Sequence, residues 1–290
     1  MEGSYTVTDM VEEPYPSDDD PMLLAGYHER WQQDGFFIIP RFSSPSTCDA
    51  MLDRAVELAR TMDYPHGEQE RSDEDRRTGT LGSPILAPEN NLRDRSDPSL
   101  GAETRVSKIF KIHRDSVFHD FATDPALVAL IHPLLGGEVD CFLSQFIFKN
   151  PGAWGQPWHQ DSHYFPFDRA PQVGVWLAVT EATLDNGCLH VLAGSQREPT
   201  HRHVLDPRPN ANQGYVEIVD HDMSGSVPVL MDPGDLLVFH SQLMHRSLDN
   251  TSAGVRAAMV YHYAHRGTVD QSDRPAIIND WLPVPDGVAS

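Results

Sequence analysis

The stretch Trp158-His159-Gln160-Asp161-Ser162-His163 places two imidazoles and a carboxylate at alternate positions. Imidazole nitrogen and carboxylate oxygen are the donors that hold divalent first-row metals. On an extended segment residues i and i+2 point to the same side, so His159 and Asp161 can converge on one ion. His163 continues that face by one step, but two residues of strand cover roughly 6–7 Å. A metal sits only about 2 Å from its ligands, so three ligands from one straight strand reach it poorly. A third ligand from a neighbouring strand is geometrically easier. The candidates are His190, His201, His203, His221, His240, His245, His262 and His265, and spacing does not choose among them.

The elements that must position these residues fall into two textures. Residues 1 to about 20 are acidic and carry prolines, the composition of a mobile tail. From 21 onward a single domain is expected. "PMLLAGYHERWQQDGFFIIPRF" reads as an amphipathic helix and a short strand, and "SSPSTCDAMLDRAVELARTMD" as a second helix with Ser or Thr available as N-cap. Residues 63–104 show no sustained period, and a loop of that length inside a compact domain is expected to be functional, here as a lid, or disordered. "SVFHDFATDPALVALIHPLLG" reads as one further helical stretch ending at Gly136 and Gly137. Beyond it come short β-rich runs broken by Gly, Pro, Asn and Asp: "EVDCFLSQFIFKN", "VGVWLAVTEAT", "GCLHVLAG", "VPVLMDPGDLLVFHSQLMH" and "RAAMVYHYAHR". Strands so spaced predict a mainly β fold with flanking helices, in the form of a jelly roll.

One region narrows the choice of ligand. In "DPGDLLVFHSQLMHRSLDNTSAGVRAAMVYHY" a turn at Pro233-Gly234 precedes a strand, His245 follows a short polar connector, and Arg256 opens the next strand. "WHQD", then "GVWLAVTEATLDNGCL", then "GDLLVFHSQLMHRS" with an arginine eleven residues after the last histidine, resembles the phytanoyl-CoA dioxygenase family. The resemblance runs from about residue 30 to 265 and is densest from 105 to 263. It implies a double-stranded β-helix (a jelly-roll, cupin-like fold) and an Fe(II)- and 2-oxoglutarate-dependent oxygenase.

Carried over residue by residue, the resemblance makes His159, Asp161 and His245 the iron ligands. Two imidazoles and one carboxylate leave open positions on the metal, which bidentate 2-oxoglutarate and O₂ require. Related halogenases lack the carboxylate, so Asp161 favours oxygen insertion. The resemblance assigns Arg256 to the distal carboxylate of 2-oxoglutarate, and a planar guanidinium suits a carboxylate bidentately. It places Ser247, Lys108 and Trp176 around the same cosubstrate, and Gln145 at a position where relatives often carry another residue. The implied outcome is hydroxylation of a C–H bond, with release of succinate and CO₂.

Other residues carry plainer expectations. His163, Tyr164, Phe165 and Trp158 are expected to face the substrate, since loops over a rigid scaffold usually carry specificity. His262 shares a strand face with Arg256 and is expected to be a satisfied core histidine. Lys111 and Lys149 are expected to face solvent. "LDNGC" at 184–188 reads as a tight turn.

The bulk properties bound the partner. The formal net charge of −21 argues against nucleic acid and anionic membrane surfaces, and leaves a small-molecule substrate. The only lysines are Lys108, Lys111 and Lys149, which weighs against an acyl-CoA with its several negative charges while leaving pocket arginines to serve it. Cys48, Cys141 and Cys188 lack metal-type spacing and read as buried thiols of a reducing compartment. Residues 1–20 lack the basic start and apolar run of a signal peptide, so cytoplasm is expected. Two rival readings use the same residues: a metal- and 2-oxoglutarate-binding fold without turnover, and a cupin-like hydrolase or isomerase indifferent to 2-oxoglutarate.

Overall fold

The structure is a computed structural model and describes residues 21–62, 84–92, 101–273 and 276–285. The expected tail at 1–20 lies outside the described residues, as do 63–83 and 93–100 of the expected lid.

Two sheets face each other as a double-stranded β-helix. The large sheet has the order β1 (Phe36–Ile39), β10 (Leu236–His240), β5 (Val173–Ala178), β12 (Arg256–His265), β4 (Val139–Lys149), β3 (Val106–Phe110) and β2 (Ile85–Pro88). The short strand β13 (Leu282–Pro283) also pairs with β4. Strand β2 lies within the segment read from sequence as an unbroken loop: residues 85–88 add an edge strand to the sheet. The small sheet runs β11 (His245–Ser247), β6 (Leu189–Val191), β9 (Val227–Val229). A bridge from His159 to His245 extends it beyond β11. The Ile218 N–H then donates to the Trp158 carbonyl, which brings in the hairpin of β7 (His203–Leu205) and β8 (Val216–Ile218).

Alternation along the strands divides the core in two. Phe37, Phe146, Phe148, Val175, Met259 and Tyr261 point outward from the large sheet. They are covered by residues of α1 (Pro21–Asp34), α2 (Pro45–Thr61), α3 (Ser116–Ala122) and α4 (Pro125–Leu135), among them Trp31, Met51, Phe118 and Ile131. Phe36, Trp176, Leu237, Ala258 and Val260 point inward and pack against Leu189, Val191 and Val229 of the small sheet. A strand buried on both faces reads as a near-continuous apolar run, which is why "VGVWLA" and "LLVF" carry so little polar punctuation.

The single helical stretch expected at 116–137 is two helices. Pro125 disfavours helical backbone at Asp124, and the Asp124 carboxylate instead caps α4 by accepting from the N–H groups of Ala126 and Leu127. Helix α4 ends where Gly136 adopts φ +75°, a conformation glycine takes without the clash a Cβ would bring.

Candidate active site

His159 lies on the extended segment that bridges to β11, and His245 is the first residue of β11, so the antiparallel pairing puts the two rings 4.2 Å apart. Asp161 opens a 3-10 turn, Asp161–Tyr164, directly after the extended stretch. Its Oδ1 lies 3.5 Å from His159 Nε2 and 3.9 Å from His245 Nε2. All three side chains are buried, and they form a group able to hold a metal ion. Donors at adjacent positions of a metal are about 3 Å apart for bond lengths near 2.1 Å, so these donors would draw in by about 0.5–0.9 Å around an ion.

The tautomers suit a metal as well. His159 Nδ1 donates to the Pro157 carbonyl at 2.8 Å, and His245 Nδ1 to the Leu243 carbonyl at 3.0 Å. Both rings therefore present an Nε2 lone pair to the centre, oriented by backbone acceptors as metal-binding imidazoles commonly are. Gln156 Nε2 donates to His159 Nε2 at 2.9 Å, a bond that needs this same lone pair. Burial pushes the His245 pKa down to about 4, which keeps the ring neutral. Burial alone would raise Asp161, yet the carboxyl is held well below its usual range, and the His262 Nε2–H donated to Oδ2 is the contact that favours its charge.

His262, on the strand face of Arg256 as expected, is not a satisfied core histidine: its Nδ1 has no partner among the described residues and its other nitrogen serves Asp161. From the inward face of β12 its Nε2 donates to Asp161 Oδ2 at 2.8 Å, leaving Oδ1 to face the two ligand histidines. Phe165 packs edge-on against His262 and Phe142. The expected role of Phe165 is thus replaced by a packing role, because its ring belongs to a buried aromatic cluster.

Arg256, at the start of β12, is 2% exposed. Its guanidinium lies over Trp176 at 5.3 Å, and Nη2 donates to the Gly187 carbonyl at 3.3 Å. Nε and Nη1 have no partner among the described residues. Burial lowers its pKa to about 10, so it stays charged at neutral pH. A buried cation with two orphaned donors costs several kcal/mol unless an anion completes it, and a bidentate carboxylate is the matching shape. Gly187 belongs to the tight turn read from "LDNGC"; a Cβ there would stand 2.4 Å from the Leu248 carbonyl oxygen, so only glycine fits.

Lys108 is half-buried, with Nζ 3.3 Å from Gln156 Oε1 and over the Tyr215 ring. Burial brings its pKa down to about 8, opposed by the charges of Asp161 and Glu89 and reinforced by Arg256. Ser247 Oγ accepts from Lys149 Nζ at 2.8 Å and from the Gln156 N–H at 3.0 Å, which leaves its own proton to donate. Gln145 sits on the inward face of β4 opposite Val260 and Phe110, without a described hydrogen bond.

Several expectations are corrected. Lys149 and Lys111 do not face solvent: they are 5% and 2% exposed. Lys149 is enclosed because it is opposite Arg256 in the β4–β12 ladder, and its ammonium is spent on Ser247 and on the Leu248 carbonyl. Trp158 does not accompany His159; neighbours on an extended strand point to opposite sides, and Trp158 packs with Ile218 and Met244 beneath Arg246. His163 is carried outward by the 3-10 turn, is exposed, and stacks on His203 at 4.2 Å. Tyr164 stays near the centre: its ring is 6.0 Å from His159 and its hydroxyl donates to the Gly214 carbonyl at 3.0 Å.

Comparison with known proteins agrees with this geometry. The family described as phytanoyl-CoA dioxygenase (PhyH) matches residues 31–258. A protein named probable phytanoyl-CoA dioxygenase from Caenorhabditis elegans is 32% identical over 202 residues, covering 62% of this chain and 63% of that protein, which is under two thirds of its length. Phytanoyl-CoA dioxygenase domain-containing protein 1 of Rattus norvegicus is 27% identical over 256 residues, covering 81% and 87%. Among solved structures, the epimerase SnoN in complex with Fe3+, alpha ketoglutarate and nogalamycin RO is similar with a TM-score of 0.63 at 16% identity, covering 92% of this chain and 97% of that one. At that identity the likeness is one of fold.

Proposed function

The chain belongs to the phytanoyl-CoA dioxygenase family, and from that premise we propose that it hydroxylates a C–H bond of a small or medium organic molecule, releasing succinate and CO₂. It is an iron(II)- and 2-oxoglutarate-dependent dioxygenase. The observation that carries the residue assignment is Arg256: a buried, charged guanidinium with two donors unpaired among the described residues, on the same inward strand face as His262, the hydrogen-bond partner of Asp161 in the His159, Asp161 and His245 group. A protein that bound metal for structure alone would have no use for such a cation.

His159, Asp161 and His245 would hold iron(II), and Arg256 with Ser247 and Lys108 would hold 2-oxoglutarate, the metal and cosubstrate together supplying the oxidising power for C–H cleavage. The chain's own part is orientation and exclusion of water. The carbonyls of Pro157 and Leu243 fix both ligand tautomers, and His262 keeps the Asp161 carboxylate turned toward the centre. Lys149 holds Ser247 so that its remaining proton can point to an anion. Trp176 forms one wall beneath the guanidinium.

The substrate reading rests on charge. With a net charge of −21, two lysines buried and the third bonded to Gln156, the lysines offer no patch for the phosphates of a coenzyme A thioester. A neutral or cationic small molecule fits better. Three free, buried cysteines support a reducing, cytoplasmic setting. No helix among the described residues is long and apolar enough to cross a membrane.

Anaerobic titration with iron(II) and 2-oxoglutarate tests the reading. A visible charge-transfer band should appear only when both are present, and should vanish with Asp161→Ala, together with O₂-dependent succinate formation. Full succinate formation by Asp161→Ala would refute the assignment.

A further inference from the structure

A second group of metal-capable side chains lies outside the centre just described. Glu198, His201 and His221 bring three donor atoms within 4.8 Å of one another. Glu198 Oε2 is 2.9 Å from His201 Nε2 and 3.1 Å from His221 Nε2, and the two rings meet edge to face at 5.1 Å. We propose that these three residues form a divalent-cation site of the zinc type, clamping the open end of the β7–β8 hairpin.

The donor set comes first. Two imidazoles and one carboxylate, with a fourth position left to water, make a four-coordinate site in which zinc–ligand bonds are about 2.0–2.2 Å. The edges of such a tetrahedron are about 3.3–3.6 Å, so the separations of 2.9 and 3.1 Å need to open by about 0.2–0.7 Å. Glu198 has 40% side-chain exposure against 18% and 21% for the histidines, so the carboxylate side supplies the route for a cation and its water.

Hydrogen bonding around the rings points the same way. Asp220 Oδ1 stands 3.5 Å from His201 Nδ1, close enough to turn toward that nitrogen and orient the ring once a metal holds Nε2. In the ion-free chain the Nε2 proton of His201 lies toward Glu198 Oε2 at 2.9 Å; a bound cation would take its place, with the ring proton then on Nδ1 toward Asp220. His221 Nδ1 is buried without a partner. One carboxylate oxygen is therefore shared by two ring nitrogens, and a divalent ion satisfies all three atoms at once.

Placement gives the site a purpose. Glu198 and His201 precede β7, while His221 follows β8, so the cation would tie the two ends of the hairpin together. The same segment grips Gln160: the His201 N–H donates to Gln160 Oε1 at 2.7 Å, and His203 Nε2 accepts from the Gln160 N–H at 3.1 Å. Gln160 stands between His159 and Asp161, so the clamp braces the chain that carries the first centre.

Metal binding by the full-length chain decides the matter without any assay of turnover. His159→Ala combined with His245→Ala removes the first centre, and Co2+ then serves as the probe. The expected result is one equivalent of bound Co2+ with the visible absorption of a four-coordinate ion, displaced by Zn2+. Adding Glu198→Gln or His221→Ala should abolish binding with an unchanged far-ultraviolet circular dichroism spectrum. Asp220→Asn should weaken it by roughly 10–100-fold. No Co2+ bound to the chain lacking the first centre, or binding that survives both Glu198→Gln and His221→Ala, would overturn the proposal.

Discussion

The two faces of β12 differ in a way that separates structure from chemistry. On the helix-covered face Tyr261 and Tyr263 are fully buried, yet both phenols are satisfied: they donate to the Phe118 and Ala122 carbonyls at 2.9 Å. Burial holds both phenols well above their usual pKa, so they remain donors. On the inward face of the same strand, among the described residues, Arg256 retains two unpaired donors and His262 Nδ1 has no partner either. Buried polar groups in native proteins are nearly always hydrogen-bonded. A strand that satisfies every polar atom on one side and leaves several open on the other is closed for stability on the first side and open for a ligand on the second.

The largest effect is expected at Arg256. Arg256→Leu removes a buried charge whose partner arrives only with the cosubstrate. Affinity for 2-oxoglutarate, measured anaerobically on the iron(II)-loaded protein, should fall by roughly 30-fold or more, since loss of a buried charge partner costs about 2–5 kcal/mol. Stability of the chain without cosubstrate should stay level or rise in the same variant, because the uncompensated cation is gone. An unchanged affinity would make Arg256 a structural residue and erase the contrast between the two faces.

Tyr263→Phe is the complementary change on the other face. It leaves the Ala122 carbonyl at the end of α3 without its described partner, at a cost of about 1–3 kcal/mol in stability. Denaturant unfolding should show that loss, while 2-oxoglutarate affinity stays within error of the parent. A loss of cosubstrate affinity as large as that of Arg256→Leu would show that the faces are not separable.

How much of this was legible beforehand depends on the range of the contact. The paired donors of "WHQD" and the arginine eleven residues after His245 are local patterns, and the β runs announce themselves by composition and punctuation. Some misreadings had a signal in plain view. Asp124-Pro125 marks a helix start, which divides the stretch read as one helix. The alternation that puts His159 toward the centre also turns Trp158 away from it. Other features had none. Lys149 looks like a surface residue at the end of "FIFKN" until β12 pairs beside it and brings Arg256 opposite. The bond from His262 to Asp161 joins residues 101 apart, and no local pattern reports such a partner. Positioning residues are thus the hardest to read, because their meaning lies wholly in another part of the chain.

The smallest expected effect is also the one that tests how the open face is tuned. Lys108 has a pKa brought down to about 8, by burial first, with Arg256 adding to the shift and Asp161 and Glu89 opposing it. A lysine is charged below its pKa, so on this value about nine-tenths of the free enzyme carries the ammonium at pH 7 and about one-tenth at pH 9. If that ammonium helps to hold the anionic cosubstrate, kcat/KM for 2-oxoglutarate should decline several-fold above pH 8, since this ratio reports the free enzyme. Lys108→Arg should flatten the alkaline limb, because a guanidinium keeps its charge throughout that range. The same decline in parent and variant would assign the limb to another group, and would leave Arg256 alone as the charge that distinguishes the inward face from the helix-covered one.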